Sequence, residues 1–314
     1  MNISRPQFSA KIPVSGDPIT ALLADHGPGC LLVIAGVEGA SYRPQGAVMA
    51  VMADGQRVGS LSSGCIEADL VHQAQAALQE GRARKLRYGR GSPFIDLTLP
   101  CGGGLDIWVL PNPDRQILAA LEAERRTRRS ISLMITSQDG RLRLTTGPTE
   151  RFEDELRIEF APELRFLVFG KGPEASSFAA MAQAAGYDCR LYSPDAETLE
   201  TAAAHHVITE ILTRPHLPAS AQIDVWTAVT LFFHDHDWEP PILAEALDQP
   251  ALYIGAQGSL NARNLREAAL LDLGIGAEHI ERLQNPFGLI PSVRDPRSLA
   301  VSVLADVLNT AQQR

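Results

Sequence analysis

The sequence predicts an α/β protein in two parts, an N-terminal mixed α+β domain followed by a C-terminal doubly wound parallel sheet. Three observations carry this expectation. The chain has 314 residues, which suits two domains at roughly 150 residues each. The stretch around 148–163 is polar and contains Pro148 and Pro162, which marks a boundary. Beyond it, short apolar runs alternate with helical stretches, the pattern of a sheet covered by helices. The domains are expected at 1–155 and 163–314.

In the first part, residues 31–37 (LLVIAGV) read as a buried strand. The loop GASYRPQG (39–46) leads to a second strand, AVMAVMA. Asp54-Gly55 is a hairpin turn signal, and QRVGSL returns as a third strand. Residues 62–81 then read as a helix. Ile66, Leu70, Ala74, Ala77 and Leu78 fall on one face, and Gly81 fits the position just past its end. Short alternating stretches follow, among them LDIWVLP (105–111). A helix is expected from about Asp114, and Asp139-Gly140 turns another hairpin.

In the second part the strands are RFLVFG (165–170), YDCRLYS (187–193), VWTAVTLFF (225–233) and ALYIGA (251–256). The intervening helices are PEASSFAAMAQAAG, LETAAAHH and PPILAEALD. NARNLREAALLDLG follows the last strand, and a final helix runs from about Pro296 to Leu308.

Composition narrows the function classes. The formal net charge is -9, and an acidic protein repels phosphate backbones, so nucleic acid is not an expected partner. The basic run Arg125, Arg126, Arg128 and Arg129 sits beside Glu122 and Glu124 and reads as a solvated helix end. The N-terminal residues lack the apolar core of a signal peptide, and the apolar run at 30–37 is too short to span a bilayer. A cytoplasmic protein without membrane association is expected. Four cysteines with no CxxC pair argue against a disulfide framework or a zinc knuckle.

Gly170-Lys171-Gly172-Pro173-Glu174-Ala175 matches G-x-G-x-x-A between a predicted strand and a predicted helix, which predicts a Rossmann-like domain. Gly170 permits the tight turn, Gly172 lets a pyrophosphate approach the backbone, and Ala175 allows close packing. Pro173 suits the first helical turn. Asp195, at the end of the next strand, stands where an acid bonds a ribose diol. The competing reading is a Rossmann fold that keeps its glycines for packing alone. His234-Asp235-His236-Asp237 and Gly255-Ala256-Gln257-Gly258-Ser259 also follow predicted strands, where open α/β sheets bind ligands. The His/Asp cluster has three readings: a metal site, an acid–base pair beside a nucleotide, or a polar strand end.

Two cysteines stand apart. Cys65, in Ser62-Ser63-Gly64-Cys65-Ile66-Glu67, is expected at the start of a helix, where the macrodipole favours a thiolate. Glu67 is a backbone cap there, although its charge partly opposes thiolate formation. Cys101, in Pro100-Cys101-Gly102-Gly103-Gly104, is followed by three glycines that would let a ligand approach the backbone. Either thiolate would be a soft ligand for a transition metal. Cys30 and Cys189 lie in or beside apolar strand segments and read as buried small hydrophobes. Arg43, in the 39–46 loop, offers a phosphate fork or is a surface hairpin arginine.

Taken together, GASYRPQG, GSLSSGCIE, PCGGG, GKGPEA, FHDHD, YIGAQGS and NPFGL occur in an order that resembles the XdhC/CoxI family across nearly the whole chain. The resemblance implies an N-terminal cofactor-handling domain and a C-terminal nucleotide-binding Rossmann domain. It implies binding of the molybdenum cofactor (molybdopterin), its protection during sulfuration, and its delivery to a xanthine dehydrogenase- or CO dehydrogenase-type molybdenum hydroxylase. Cys65 and Cys101 would contact the cofactor or hold sulfur, and Arg43 would lie near its phosphate. Glu67, Gly170, Gly172, Asp195, His234, Asp235, Gly255 and Ser259 complete the expected cofactor-binding set, with NAD(P) as the second cofactor. A cysteine desulfurase is a further expected partner, and a homodimer the expected assembly. Two departures from the family stand out: Lys171-Gly172-Pro173-Glu174 where many members have Ala-Gly-His-Val, and Ser63 for a glycine. The alternative is an NAD(P)-dependent oxidoreductase with His234 as base. A sulfur-transfer enzyme is a third reading, chemically close to the first.

Overall fold

The apolar run near the start of the chain forms a strand buried on both faces, and the first unit is assembled around it. The computed structural model describes residues 16–62, 64–92, 102–234 and 237–313, and the chain divides into two compact units between Pro162 and Glu163. The first unit begins with α1 (Pro18–Ala24), β1 (Gly29–Glu38), β2 (Val48–Met52), β3 (Arg57–Gly59) and α2 (Glu67–Glu80). It continues with β4 (Arg84–Gly89), β5 (Gly104–Pro111) and α3 (Arg115–Arg126). The described strands form an antiparallel sheet in the order β3-β2-β1-β5-β4. A second antiparallel sheet, ordered β7-β6-β9-β8, uses β6 (Ile131–Thr136), β7 (Leu142–Thr145), β8 (Glu150–Arg151) and β9 (Glu155–Phe160).

Strand periodicity sends alternate side chains of β1 to opposite faces. Leu31, Val33 and Ala35 pack with Ile19 of α1, Leu118 of α3 and Leu133 of β6. Cys30, Leu32 and Ile34 pack with Leu70, Ala74 and Ala77 of α2. That double burial is why the run shows no polar alternation. Helix α2 ends as expected, with Gly81 in the left-handed region at φ 65°. The polar stretch expected as a connection at 148–163 is in part strand, because β9 pairs along its whole length with β6.

The second unit contains β10 (Arg165–Gly170), α4 (Pro173–Ala184), β11 (Asp188–Ser193), α5 (Ala196–Ala203) and β12 (Ile208–Ile211). Then come β13 (Thr227–Phe232), α6 (Glu239–Leu247), β14 (Tyr253–Ala256), α7 (Leu260–Asp272), α8 (Ala277–Ile280) and α9 (Pro296–Gln312). All described strands are parallel, in the order β12-β11-β10-β13-β14. Phe166 and Val168 pack against Phe178 of α4 and Val303 of α9. Leu167 and Phe169 pack against Ile242 of α6 and Leu270 of α7. The sheet is therefore covered on both faces, as a doubly wound fold requires. The order reverses between β10 and β13, which opens a crevice at the carboxyl ends of those strands.

Besides β8 and β9, four elements are absent from the sequence expectations. Helix α1 has one turn signal, Asp17 before Pro18, whose carboxylate accepts from the Thr20 amide. Strand β4 (RKLRYG) fully buries only Tyr88. Strand β12 is an edge strand with Ile208 and Ile211 exposed. Helix α8 is four residues long.

The turn after β10 is tightly packed. A Cβ on Gly170 would lie 2.6 Å from the Phe232 carbonyl oxygen and 2.9 Å from the Ala175 Cβ. Gly170→Ala should therefore destabilise the protein by about 1–3 kcal/mol, the usual cost of overpacking. Urea denaturation reads this directly, and an unchanged midpoint would show that β13 yields without cost.

Candidate functional site

Register places the motif loops of the first unit at one end of its sheet. The 39–46 loop joins the end of β1 to the start of β2, while the Cys65 segment leaves the end of β3. Gly104 starts β5 and pairs with both Glu38 at the end of β1 and Gly89 at the end of β4. Because neighbouring strands are antiparallel, all these termini lie on the same side. Two of the loops touch: a Cβ on Gly103 would lie 2.2 Å from the Ala40 carbonyl oxygen. Cys101 itself lies outside the described residues.

Cys65 is an exposed free thiol. Helix α2 begins at Glu67 with Ile66 as its cap residue, so Cys65 precedes the helix and is not in its first turn, where it was expected. Its loop is held by Glu67, which is only 1% exposed. One carboxylate oxygen of Glu67 accepts from the Ser60 hydroxyl at 2.7 Å and the Ser62 amide at 2.8 Å. The other accepts from the Ser62 hydroxyl at 2.5 Å and the Ile66 amide at 3.3 Å. The Cys65 amide in turn donates to the Ser62 hydroxyl at 3.2 Å. Burial pushes the Glu67 carboxyl up, but the hydrogen bonds from Ser60 and Ser62 outweigh it and hold the group down at about 2. Glu67 thus works inside the loop, with both oxygens engaged, and Cys65 faces outward.

Arg43 is exposed. The Ser41 hydroxyl accepts from its amide at 3.2 Å and donates to its carbonyl at 2.7 Å, which fixes the turn. The glycines after Cys101 differ from the expectation that all three make room for a ligand. Gly103 accommodates the Ala40 carbonyl, and a Cβ on Gly104 would meet the Arg87 guanidinium at 2.3 Å. Of the three, only Gly102, at φ 69°, has no described atom near the position of a Cβ. Around them an ion-pair network ties the strand ends together. Arg87 pairs with Glu38 and with Asp106 (3.1 Å), and Arg151 pairs with Asp106 at 2.7 Å.

Cys30 is buried, its thiol donates to the Ala74 carbonyl at 3.3 Å, and burial pushes its pKa up to about 12. Cys189 is also buried, and burial together with the neighbouring Asp188 pushes its pKa upward. Neither thiol is available for chemistry.

In the second unit, Gly170, Gly172, Asp195 and His234 gather at the carboxyl ends of β10, β11 and β13. Gly172 caps α4 at φ 88°, and its amide donates to the Thr198 hydroxyl at 2.8 Å. Asp195 caps α5, accepting from the Thr198 amide (2.9 Å) and hydroxyl (2.5 Å). Those two bonds, with the charge of Lys171, hold its carboxyl below the usual range. His234 is exposed, with Nε2 3.5 Å from Oε2 of Glu174, a residue absent from the sequence-derived set. The signal was present as an acid where the family has a different residue in the glycine-rich turn. Asp235 lies outside the described residues.

Gly255 and Ser259 have structural explanations. A Cβ on Gly255 would lie 2.6 Å from the Phe287 ring, and Ser259 caps α7 by accepting from the Ala262 amide at 3.2 Å. Beside them is a cleft of about 160 Å³ lined by Ser259, Arg263, Gln284 and Asn285 among others. Arg266 also lines it, and this buried guanidinium pairs with the buried Glu239 at 2.9 Å. Among the described residues no group of three or more His, Cys, Asp or Glu side chains is placed to hold a metal ion, and no helix is long and apolar enough to cross a membrane.

Fold and site define a two-unit protein: a thiol-bearing loop end on an antiparallel sheet, followed by a Rossmann domain. Residues 166–307 match the XdhC Rossmann domain and residues 22–89 match the XdhC and CoxI family. The chain belongs to the XdhC/CoxI family. It is 33% identical over 293 residues to the molybdenum cofactor insertion chaperone PaoD of Escherichia coli (strain K12), covering 92% of this chain and 85% of that protein. It is 24% identical to a probable xanthine dehydrogenase subunit of Bacillus subtilis (strain 168), covering 94% and 97%. The fold matches a crystal structure described as a xanthine dehydrogenase from Bacillus halodurans with a TM-score of 0.76, at 23% identity over 94% of this chain and 95% of that one.

The Glu67 clamp predicts a pH dependence. Its pKa is depressed from the ordinary 4.5 to about 2, so its contribution is complete above pH 4.5 and lost as pH falls through about 2. Glu67→Gln should lower stability at pH 7 by about 2 kcal/mol, the scale of hydrogen bonds to a charged group. Urea midpoints recorded from pH 7 to acid should show the difference from wild type shrinking. A constant difference across that range would exclude the carboxylate charge as its source.

Proposed function

We propose that this protein is a molybdenum cofactor-binding chaperone that supports sulfuration of the cofactor and its insertion into a xanthine dehydrogenase- or CO dehydrogenase-type molybdenum hydroxylase. The observation that carries the reading is the convergence of the motif loops at one end of the first sheet, with an exposed thiol held on a rigid clamp. The likeness to a relative named a molybdenum cofactor insertion chaperone supports it. The cofactor is cargo for such a protein and is released to the client. Cys65 supplies a soft sulfur ligand, Cys101 a second thiol, and Arg43 a planar donor fork for the cofactor's phosphate. Glu67 positions the Cys65 loop. A cysteine desulfurase and a homodimeric assembly belong to the same reading, as does a reducing cytoplasm, which suits the free thiols Cys30, Cys65 and Cys189.

The second reading, an NAD(P)-dependent oxidoreductase, draws on the strand–turn–helix at Gly170. It requires a dinucleotide on a turn whose Gly172 amide and Asp195 carboxylate are already engaged, so the chaperone reading is favoured.

Cys65→Ser should fold as wild type, because the side chain is exposed, yet lose molybdenum and pterin on purification from a molybdate-fed host. Cys189→Ser should show the reverse, losing about 1–3 kcal/mol for a buried hydroxyl without a partner while keeping the cargo. A Cys65→Ser protein with full pterin fluorescence and molybdenum content would refute the role of this thiol. In the cell, deletion of the protein should lower the molybdenum and sulfido content of the client hydroxylase. A client with unchanged content would leave the oxidoreductase as the better reading.

A further inference from the structure

The glycine-rich turn of the second unit has the backbone shape of a dinucleotide site, yet this chain's own groups take the places that a diphosphate needs. Such a site works by presenting backbone N–H donors and the positive end of a helix to two negative phosphates. At the start of α4 those donors are depleted. The Gly172 amide is spent on the Thr198 hydroxyl at 2.8 Å. The next residue is Pro173, which has no N–H to give.

Charge argues the same way. Glu174 stands in the first turn of α4, where a negative group is favoured by the helix dipole. Its carboxylate places a fixed negative charge beside the amides that such a helix would offer to a bound anion. Oε2 of Glu174 lies 3.6 Å from where a Cβ on Gly172 would be, on the side that a pyrophosphate must approach. That oxygen is buried and has no hydrogen-bond partner among the described residues. The cationic groups nearby do not cancel it. Lys171 is exposed, and its charge already acts on Asp195. The ring of His234 is 3.5 Å away but its side chain is 68% exposed, so solvent screens it. Lys171, Glu174 and Asp195 together carry one net negative charge. Asp195, where a ribose-binding acid would stand, is held by the Thr198 amide and hydroxyl. Freeing the Gly172 amide for a phosphate would pull on Thr198 and so disturb the cap of α5.

We infer that this glycine-rich turn is closed to the diphosphate of an adenine dinucleotide, and that Glu174 is the residue that excludes it. The glycines remain because packing requires them. Gly170 has no room for a Cβ beside Phe232 and Ala175, and Gly172 has φ 88°. This inference does not rest on the chaperone reading, since it concerns only groups of the second unit.

The test is titration calorimetry of the full-length protein with NAD+, NADP+ and ADP, comparing wild type with Glu174→Gln and Glu174→Ala. Gln keeps the size and removes the charge, while Ala also removes the bulk, so one of the two remains informative if the other fails to fold. Wild type should show no binding up to about 5 mM, and at least one variant should bind at least about tenfold tighter than that limit, the scale of removing one like charge from an anion site. Wild-type binding with a Kd at or below about 5 mM overturns the inference. So does a gain under tenfold in every folded variant, which would show that Glu174 is not what excludes the ligand. Molybdenum and pterin content measured on the same variants should be unchanged, which separates this outcome from any failure of the chaperone reading.

Discussion

The burial of β1 on both faces is the constraint on which the first unit depends. Residues 30–35 are fully buried, so each face of the strand must be covered by something apolar. Fully burying one Leu, Ile or Val side chain is worth about 1.5–3 kcal/mol, and β1 supplies such residues alternately to two clusters. Helix α2 covers one face, while α1, α3 and the second sheet cover the other. Once those layers are in place, the antiparallel order fixes which loops share an end. The 39–46 loop, the Cys65 loop and the residues after Cys101 are neighbours because the strands they leave are neighbours. The end of the sheet that carries the motif loops follows from how its core is covered.

Two acids in the first turns of helices show how context sets a charge's work. Glu67 at the start of α2 and Glu174 near the start of α4 both gain from the helix dipole. Glu67 is surrounded by hydroxyl and amide donors, so its charge is spent on holding the Cys65 loop. Glu174 has an oxygen with no hydrogen-bond partner among the described residues, 3.5 Å from Nε2 of His234 at the end of β13. The same residue type is a structural clamp in one unit and a local source of negative field in the other.

Glycine is an ambiguous signal for the same kind of reason. A glycine beside a motif suggests room for a ligand, yet at Gly103, Gly104, Gly170 and Gly255 the space is filled by the chain's own atoms. The missing Cβ lets strands, carbonyls and rings of the same protein approach. Gly102 is different, since no described residue lies near its absent Cβ. Such glycines look alike in a sequence, because what fills the space comes from residues far along the chain.

By itself the sequence determined the class of fold, the buried strands and most of the helices. These depend on periodicity, caps and turn residues, which act over a few positions. It also carried the loop motifs that place the chain in its family. It did not reveal α1, β4, β8, β9, β12 or α8, whose signals are short or diluted by charge and exposure. The contacts between segments were decided by tertiary structure alone. Glu67 reaches back to Ser60, the Thr198 hydroxyl reaches across to the Gly172 amide, and Gly103 lies against Ala40. Hydrogen bonds of this kind depend on which strands pair and in what register. That choice belongs to the packing of whole layers and is not written in any local stretch of residues.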